Sequence, residues 1–351
     1  MFLDKGFEMS PVKIGEHLVG DGQPAFIIAE LGYNFNTLDE ALASIDAASE
    51  AGCDAIKIQT FKAETLVTKD VDFPAEAGGV NQFQEFKEYE ISDEVHAAFF
   101  EHCIKRGLIP FSTPSHPDDI DRLENLNVLV YKIGSDDLTN LPLLRYVAST
   151  GKPVIFSSGM GTLAEVDEAI QTMKEAGNLN IILLQCVSNY PIEKIEYVNL
   201  RVIETFKKAF GIPVGLSDHT TSNTAAIAAV TLGANVVEKH FALSKDLDVP
   251  DAFFSADPTE MRDLVKGIRD LEQMLGDGFK YPMPSEVQMR EDTRKGIVAC
   301  TAIQAGQTIS AENLIVKRPG WGIAPKDWDR VVGRKATRNI KEDEVITWDM
   351  V

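Results

Sequence analysis

Eight short apolar runs, separated by longer amphipathic stretches, constrain this chain more than any other feature of its sequence. They are AFIIAEL (25–31), AIKIQTF (55–61), IPFSTP (109–114), VYKIGS (130–135), PVIFSS (153–158), IILLQC (181–186), PVGLSD (213–218) and VVEKHF (236–241). Each is nearly continuous in apolar residues, as parallel strands covered on both faces must be. The segments between them include 38–52, 93–107, 163–177 and 224–234, which have helical periodicity, and several close on glycine, a usual helix stop. Eight strand–helix alternations over about 250 residues predict a (β/α)8 TIM barrel, with an open doubly wound sheet as the alternative.

The flanks read differently. VKIGEHLVGDGQPAF (12–26) has the pattern of a hairpin with a tight turn at Asp21-Gly22, placed to cap the barrel bottom. Beyond residue 278 the helical periodicity stops. A Pro-containing linker (281–290) leads into short β-type runs: GIVACTAI, QTISAENLIVKR, RVVGRKAT and EVITWDM. The predicted organisation is a barrel domain at 1–280, the linker, and a small β-rich domain at 291–351. A unit of roughly 65 residues buries little core, so it is expected to lean on the barrel or on a second subunit.

Composition removes several classes of function. With 34 Lys and Arg against 54 Asp and Glu, the net charge is −20, which argues against a nucleic-acid surface. It leaves room for a small anionic substrate held by a few buried cations. No run approaches the ~18–20 apolar residues of a membrane span, and the N-terminus has no apolar core of signal-peptide length. Cys53, Cys103, Cys186 and Cys300 are far apart and sit among apolar neighbours, so reduced, buried thiols and a cytoplasmic location are expected.

In this fold, active sites form at the C-terminal ends of the strands. There the sequence places Glu30, Lys57 with Gln59, Ser112 and Thr113, Lys132 with Ser135, Ser157 and Ser158, Gln185, Ser217 through His219, and Glu238 with His240. A barrel interior built only for stability would carry Val, Ile and Leu at these positions. Side chains alternate along a strand, so Lys57 and Gln59 share a face, as do Ser217 and His219, and Glu238 and His240, while Lys239 points away. His219 and His240 end adjacent strands and can reach one divalent metal with positions left open, or serve as hydrogen-bonded structural histidines. Mn²⁺ is the expected ion, with Mg²⁺ and Co²⁺ as alternatives. Lys57 and Lys132, with Thr113, Ser135, Ser157 and Ser217 between them, predict a phosphate or carboxylate site. An inward lysine, Lys132 first and Lys57 second, is also what a Schiff-base aldolase or lyase would need. His116 is a weaker candidate, and His17, His96 and His102 are expected to be structural or exposed.

The motifs IAELG (28–32), KIQTF (57–61), FSTP (111–114), KIGS (132–135), SSGM (157–160), LSDHT (216–220) and VEKHF (237–241) occur in this order at barrel spacing. Together the set resembles the sialic-acid synthase family, which includes legionaminic and pseudaminic acid synthases. KRPGWGI (317–323) and VVGRKATRNI (331–340) are similar to that family's C-terminal antifreeze-like (SAF, β-clip) domain. The resemblance implies a metal-dependent condensation of phosphoenolpyruvate with an N-acyl amino-sugar aldehyde. It implies His219 and His240 as metal ligands and Lys57, Thr113, Lys132, Ser135, Ser157 and Ser217 as the phosphoenolpyruvate site. Glu30, Gln59, Asp137, Tyr190, Glu238 and Asp251 would surround the sugar and the water, with Glu30 or Asp137 managing the water's proton. Arg318 would reach sugar from a partner chain in a domain-swapped homodimer. The chain departs from the family pattern at Asn34-Phe35-Asn36-Thr37, where N-H-x-G is common, and at Asp137, where many members carry Glu. It departs again at Ser188 and in PDAFFS (250–255), which lacks a histidine after the aspartate. Most of these positions would face the sugar.

Overall fold

Each of the eight apolar runs forms a strand, and the eighth pairs with the first, so the sheet has no open edge. The computed structural model describes residues 10–73 and 79–351. The barrel strands are β3 (Phe26–Gly32), β4 (Ala55–Thr60), β5 (Ile109–Pro114), β6 (Tyr131–Ile133), β7 (Val154–Ser157), β8 (Ile181–Cys186), β9 (Val214–Asp218) and β10 (Val236–His240). All eight contacts between neighbours are parallel. Closure through β10 and β3 rules out the open doubly wound sheet. β6 and β7 stop earlier than their apolar runs. After Ile133 the chain bends at Gly134, where Asp137 N–H donates to the Gly134 carbonyl at 3.3 Å.

The helices follow the strands as the fold requires. They are α1 (Leu38–Ala51), α4 (Asp93–Lys105), α5 (Pro117–Asn125), α6 (Leu141–Ser149), α7 (Leu163–Glu175), α8 (Val202–Phe210), α9 (Thr224–Thr231) and α10 (Pro258–Leu275). Two short helices, α2 (Ala63–Leu66) and α3 (Gln82–Glu88), intervene between β4 and α4. Local chemistry sets their ends. Thr162 and Asp257 open α7 and α10 with reciprocal capping boxes, and Gly52 closes α1 at φ 88°, a conformation costly for any residue with a Cβ. Between strands and helices lies an apolar layer with Phe99 and Phe156, while Phe26 and Phe111, on the same strand faces as Glu30 and Thr113, fill the barrel interior, and all four are buried. A buried pair, Lys239 Nζ to Asp218 Oδ2 at 2.9 Å, also sits on the outward strand face, as the alternation of Lys239 predicts.

The N-terminal hairpin forms, but its turn is elsewhere than expected. β1 (Val12–Ile14) pairs antiparallel with β2 (His17–Val19) across Gly15-Glu16, with Gly15 at φ 57°. Asp21-Gly22 comes after the hairpin and turns the chain toward β3. The two-residue loop that begins with glycine matches the twist of the strands it joins. A Cβ on Gly15 would touch Ile109 and Leu129, at and just before strand starts, so the hairpin does cover the N-terminal end of the barrel. The N-terminal segment in which no signal-peptide core is read lies mostly outside the described residues.

The chain divides into two compact units, Met1–Gly276 and Asp277–Val351. In the second, β11 (Gly296–Ala299) pairs antiparallel with β12 (Leu314–Lys317), and isolated bridges such as Ile303–Ile340 extend the pairing. Its own core includes Ile297, Ile303, Ile309, Ile323 and Ile346. The range read as a linker holds a 3₁₀ turn (Pro284–Glu286) and the start of α11 (Val287–Thr293). The run RVVGRKAT begins in a further short helix, α12 (Trp328–Val331), instead of a strand. Cys53, Cys103 and Cys186 are free and buried, whereas Cys300 is only half-buried because it ends β11 at the surface. Among the described residues no helix is long and apolar enough to cross a membrane.

Gly215 shows how little slack the barrel interior has. A Cβ there would overlap the Val236 carbonyl oxygen and come within 2.7 Å of Leu184 Cδ2 and Val236 Cβ. Gly215→Ala is therefore expected to lower stability by about 1–3 kcal/mol through overpacking. A denaturant midpoint within experimental error of wild type would contradict it.

Candidate active site

The strand ends converge on a cavity of about 990 Å³ at the C-terminal mouth of the barrel. Its floor follows from strand register. β3 and β4 put Glu30 beside Lys57, β10 and β9 put Glu238 beside Ser217, and β10 and β3 put His240 beside Glu30. Residues two apart face the same way, so four strands deliver two carboxyls, an ammonium, a hydroxyl and two imidazoles to one layer.

The charged groups are buried and paired. Lys57 Nζ lies 2.5 Å from Glu30 Oε2 and 4.0 Å from Glu238 Oε2, and donates to Thr113 Oγ1 at 3.0 Å. Lys132 Nζ lies 3.6 Å from Glu238 Oε1 and donates to Ser157 Oγ at 2.8 Å. Ser217 Oγ donates to the same Glu238 oxygen at 2.9 Å. Burial alone would neutralise these groups. It pushes the Glu30 carboxyl up to about 7, against the opposing pull of Lys57. For Glu238 burial also pushes up, but Lys132 and Lys57 together outweigh it and hold the carboxyl below its ordinary range. Lys57 is raised, because Glu30 and Glu238 overcome its desolvation. Two lysines face two carboxyls here, and burial weakens the charge of one of them, Glu30, so the floor is suited to an anion.

The imidazoles stand on the other side of Glu238. His219 and His240 have ring centroids 5.2 Å apart, and Tyr190 packs 4.2 Å from the first. His219 donates Nδ1–H to the Val187 carbonyl at 2.7 Å, which leaves Nε2 as its acceptor atom. Burial, then His219 and Lys57, hold His240 well below the usual histidine range, so it is neutral. His219 is raised: burial opposes, but the Cys186 sulfur and the Val187 carbonyl favour its cation. His240 Nδ1 is buried with no hydrogen-bond partner, and Asp251 Oδ2 lies 3.6 Å away. An orphaned buried imidazole nitrogen beside a second imidazole fits a metal ion. Among the described residues no group of three or more His, Cys, Asp or Glu is arranged to hold one. A metal here would take two imidazoles and complete its coordination with water and substrate oxygens.

Gln59, Ser135, Ser157, Tyr190, Ser217 and Asp251 line the same cavity as Lys57, Thr113, Lys132, Glu30, Glu238 and the two histidines. Asp137 does not. Its carboxylate accepts from Asn140 Nδ2 at 2.8 Å where α6 begins, and burial pushes it up to about 6. The cavity-lining carboxylate of that loop is Asp136. Ser112 and Gln185 also turn away: Ser112 bonds Thr60 and the Ile58 carbonyl on the outer strand face, and Gln185 donates to the Val198 carbonyl. His116 caps α5, and His96 is buried against Thr60. Arg318 is exposed at the end of β12, in the second unit.

One wall escapes the reading by strand ends. Tyr33, Phe61, Phe73, Phe86 and Tyr89 form an aromatic side of the cavity, with Tyr33 stacked on Tyr89 at 5.2 Å and Phe86 against Phe61 at 5.6 Å. The signal was the unusually long 61–92 connection, where QFQEFKEY spaces aromatics at i, i+3 and i+6. Cys186, Ser188, Asp248 and Phe253 line the cavity as well.

Comparison with known proteins gives matches over both units. Residues 44–280 match the NeuB family and residues 294–351 the SAF domain. The N,N'-diacetyllegionaminic acid synthase of Legionella pneumophila is 40% identical over 343 residues, covering 95% of this chain and 96% of that protein. The pseudaminic acid synthase of Campylobacter jejuni is 36% identical, covering 90% and 93%. The crystal structure of N-acetylneuraminic acid synthetase from Leptospira borgpetersenii, in complex with citrate, superposes with a TM-score of 0.72 at 32% identity, over 80% of this chain and 94% of that one.

The Glu30 environment has a consequence for stability. Its carboxyl titrates near 7 when folded and near 4.5 when unfolded, so the folded state binds more protons in that window and loses stability as pH rises through it. Glu30→Gln removes the titration. Wild type should therefore lose on the order of 2 kcal/mol relative to Glu30→Gln between about pH 5 and 8. Denaturant titrations at both pH values measure this, and a pH-independent difference would show that Glu30 does not titrate in that range.

Proposed function

The chain belongs to the NeuB family and carries a SAF domain, and on that premise we propose that it condenses phosphoenolpyruvate with the open-chain aldehyde of an N-acyl amino sugar, giving a nonulosonic acid and phosphate. The observation that carries this reading is the juxtaposition of two buried lysines and their hydroxyl partners with a pair of imidazoles across Glu238. One side suits an anion and the other an electrophile's oxygen.

Lys132 and Ser157, with Ser135, Thr113 and Ser217 nearby, would hold the phosphate and carboxylate of phosphoenolpyruvate through charge-assisted hydrogen bonds. His219 and His240 would hold a divalent ion, Mn²⁺ first among Mn²⁺, Mg²⁺ and Co²⁺, that supplies Lewis-acid polarisation of the aldehyde oxygen. C3 of phosphoenolpyruvate attacks the aldehyde carbon, water adds to the resulting cation at C2, and the C2–O bond to phosphate breaks. Glu30, near 7 and on the cavity floor, is matched to taking that water's proton, whereas Asp137 is engaged by Asn140. Holding both substrates in one cavity makes the bimolecular step effectively intramolecular.

A Schiff-base aldolase would need a neutral amine. Glu30 and Glu238 favour the ammonium form of Lys57, which disfavours that chemistry at Lys57, and Lys132, the other candidate, is engaged by Ser157 and lies 3.6 Å from Glu238 Oε1. Borohydride trapping separates the two, since only an imine would be reduced onto a lysine.

Chelation should abolish phosphoenolpyruvate-dependent phosphate release, and Mn²⁺, Mg²⁺ or Co²⁺ should restore it. His219→Ala and His240→Ala should each lower kcat at least ~100-fold while melting close to wild type. Full turnover of metal-free protein would contradict the metal role.

The proposed assembly is a homodimer in which Arg318 of one copy serves the barrel of the other. Inactive Arg318→Ala mixed with inactive His240→Ala should then regain activity, because one of the two sites in a mixed dimer keeps both residues. Verified heterodimers without any recovery would exclude the arrangement.

A further inference from the structure

Three buried polar residues beside the cavity take no part in the proposed condensation: Thr60 at the end of β4, Ser112 in β5 and His96 in the first turn of α4. Each is at most 1% exposed. Thr60 and Ser112 point to the helix side of their strands, and His96 meets them there. Their bonds form one chain. Burial holds the His96 ring neutral by pushing it down to about 4, and Nδ1–H donates to the Ser92 carbonyl at 2.8 Å. Nε2 is therefore an acceptor, and the Thr60 hydroxyl donates to it at 2.8 Å. Ser112 then shares its own proton between Thr60 Oγ1 at 2.6 Å and the Ile58 carbonyl at 3.0 Å.

The chain of bonds crosses the sheet where neighbouring strands support it least. β3 pairs with β4 as far as Ile58, after an irregularity between Glu30 and Gly32, and β6 pairs with β5 at Ser112 alone. Beyond those points, among the described strand pairings, Gln59–Thr60 and Thr113–Pro114 have only each other. On the inner face of this two-stranded tip, Thr113 Oγ1 accepts from Lys57 Nζ at 3.0 Å. The segment leading into α4 holds the same tip a second time, since Glu90 accepts from the Ala63 N–H at 2.9 Å.

We infer that His96 is a positioning residue: bonded to Thr60 and through it to Ser112, it fixes the tip of β4 and β5 so that Thr113 meets Lys57 on the cavity floor. The inference rests on the proposed condensation, in which Lys57 and Thr113 help hold phosphoenolpyruvate, and it adds to them a residue outside the cavity. Successive side chains of a strand face opposite ways on one backbone, so a shift of Ser112 carries Thr113 with it. Without the acceptor at Nε2 the Thr60 hydroxyl turns to Ser112, and the tip loses its tie to α4.

The test measures the phosphoenolpyruvate Kd of the full-length, Mn²⁺-loaded protein by calorimetry. His96→Phe, which keeps a ring but no acceptor, and Thr60→Val, which keeps the shape and loses the hydroxyl, should each raise Kd roughly fivefold or more. His96→Gln, whose Oε1 replaces Nε2 as acceptor, should stay within about twofold of wild type. Thr113→Val should also raise Kd, and adding His96→Phe to it should change Kd less than about twofold, because the group that His96 positions is already gone. Wild-type Kd in both His96→Phe and Thr60→Val would overturn the inference. So would His96→Gln as weak as His96→Phe, or effects of His96→Phe and Thr113→Val that multiply independently. If His96→Phe does not fold, Thr60→Val takes its place in both comparisons. Wild-type protein that binds no phosphoenolpyruvate would instead remove the proposed condensation, and this inference with it.

Discussion

The pairing of β10 with β3 is the constraint on which the rest of the molecule depends. It closes the sheet and sets His240 opposite Glu30 in the same act. A slip of one residue would turn every side chain on β10 to the other face, sending Glu238 and His240 toward the helices and Lys239 into the cavity. The outward face resists such a slip, because Lys239 is held there by Asp218 and by the Thr220 carbonyl at 2.7 Å. An ion pair buried between sheet and helices is weak as a source of stability but strong as a fixer of register. The chemical layer inside the barrel thus inherits its precision from polar contacts outside it.

That inner layer is also where the fold carries its costs. Four ionisable groups lie within about 4 Å of a neighbour, each nearly stripped of water. The arrangement is tolerable because charges alternate and Thr113, Ser157 and Ser217 supply further bonds. It is not fully satisfied: Ser188 Oγ, Glu238 Oε2 and His240 Nδ1 have no hydrogen-bond partner, and Glu30 Oε2 meets only the Lys57 ammonium. Unpaired polar atoms are uncommon in buried positions, and several on residues lining one cavity are what a site preorganised for a ligand would leave.

The barrel and its floor are legible in the sequence because both obey short-period rules. Apolar runs define the strands, and alternation assigns Lys57, Gln59, Ser217, His219, Glu238 and His240 to the interior. The rule works less well where a strand ends. β6 stops at Ile133, so the periodicity no longer governs residues 134–137, and Asp137 turns to Asn140 while Asp136 lines the cavity. Ser112 and Gln185 are polar residues at strand ends that serve the outer face, a distinction polarity cannot make. The aromatic wall depends on a long connection whose packing is non-local. Its rings come from the end of β3, the end of β4, the stretch between α2 and α3, and α3 with its C-cap, so no single short window of sequence contains it. In the N-terminal hairpin two glycine turns compete, and β1 pairs with β2 across Gly15 at φ 57°, while Gly22 turns the chain after the hairpin.

The first departure from the family pattern, Phe35-Asn36-Thr37, follows an asparagine that keeps it. Asn34, fully buried, donates to the Phe241 carbonyl and to Ser255 Oγ, and its Oδ1 accepts from the Asp251 N–H, each at 3.2 Å. It therefore ties the end of β3 to the loop that presents Asp251 to His240. In that loop Ala252 is buried and Phe253 is exposed to the cavity, where the more usual histidine is missing. Of the altered segments, Ser188 and Phe253 of PDAFFS line the cavity, whereas Asp137 turns to Asn140. The lysines and hydroxyls of the floor keep the KIQTF, FSTP, KIGS and LSDHT motifs. On the proposed reading one reaction serves different acceptors: the lysines and hydroxyls proposed to bind the anion are held by strand register, and the residues proposed to meet the acceptor sit on loops freer to change.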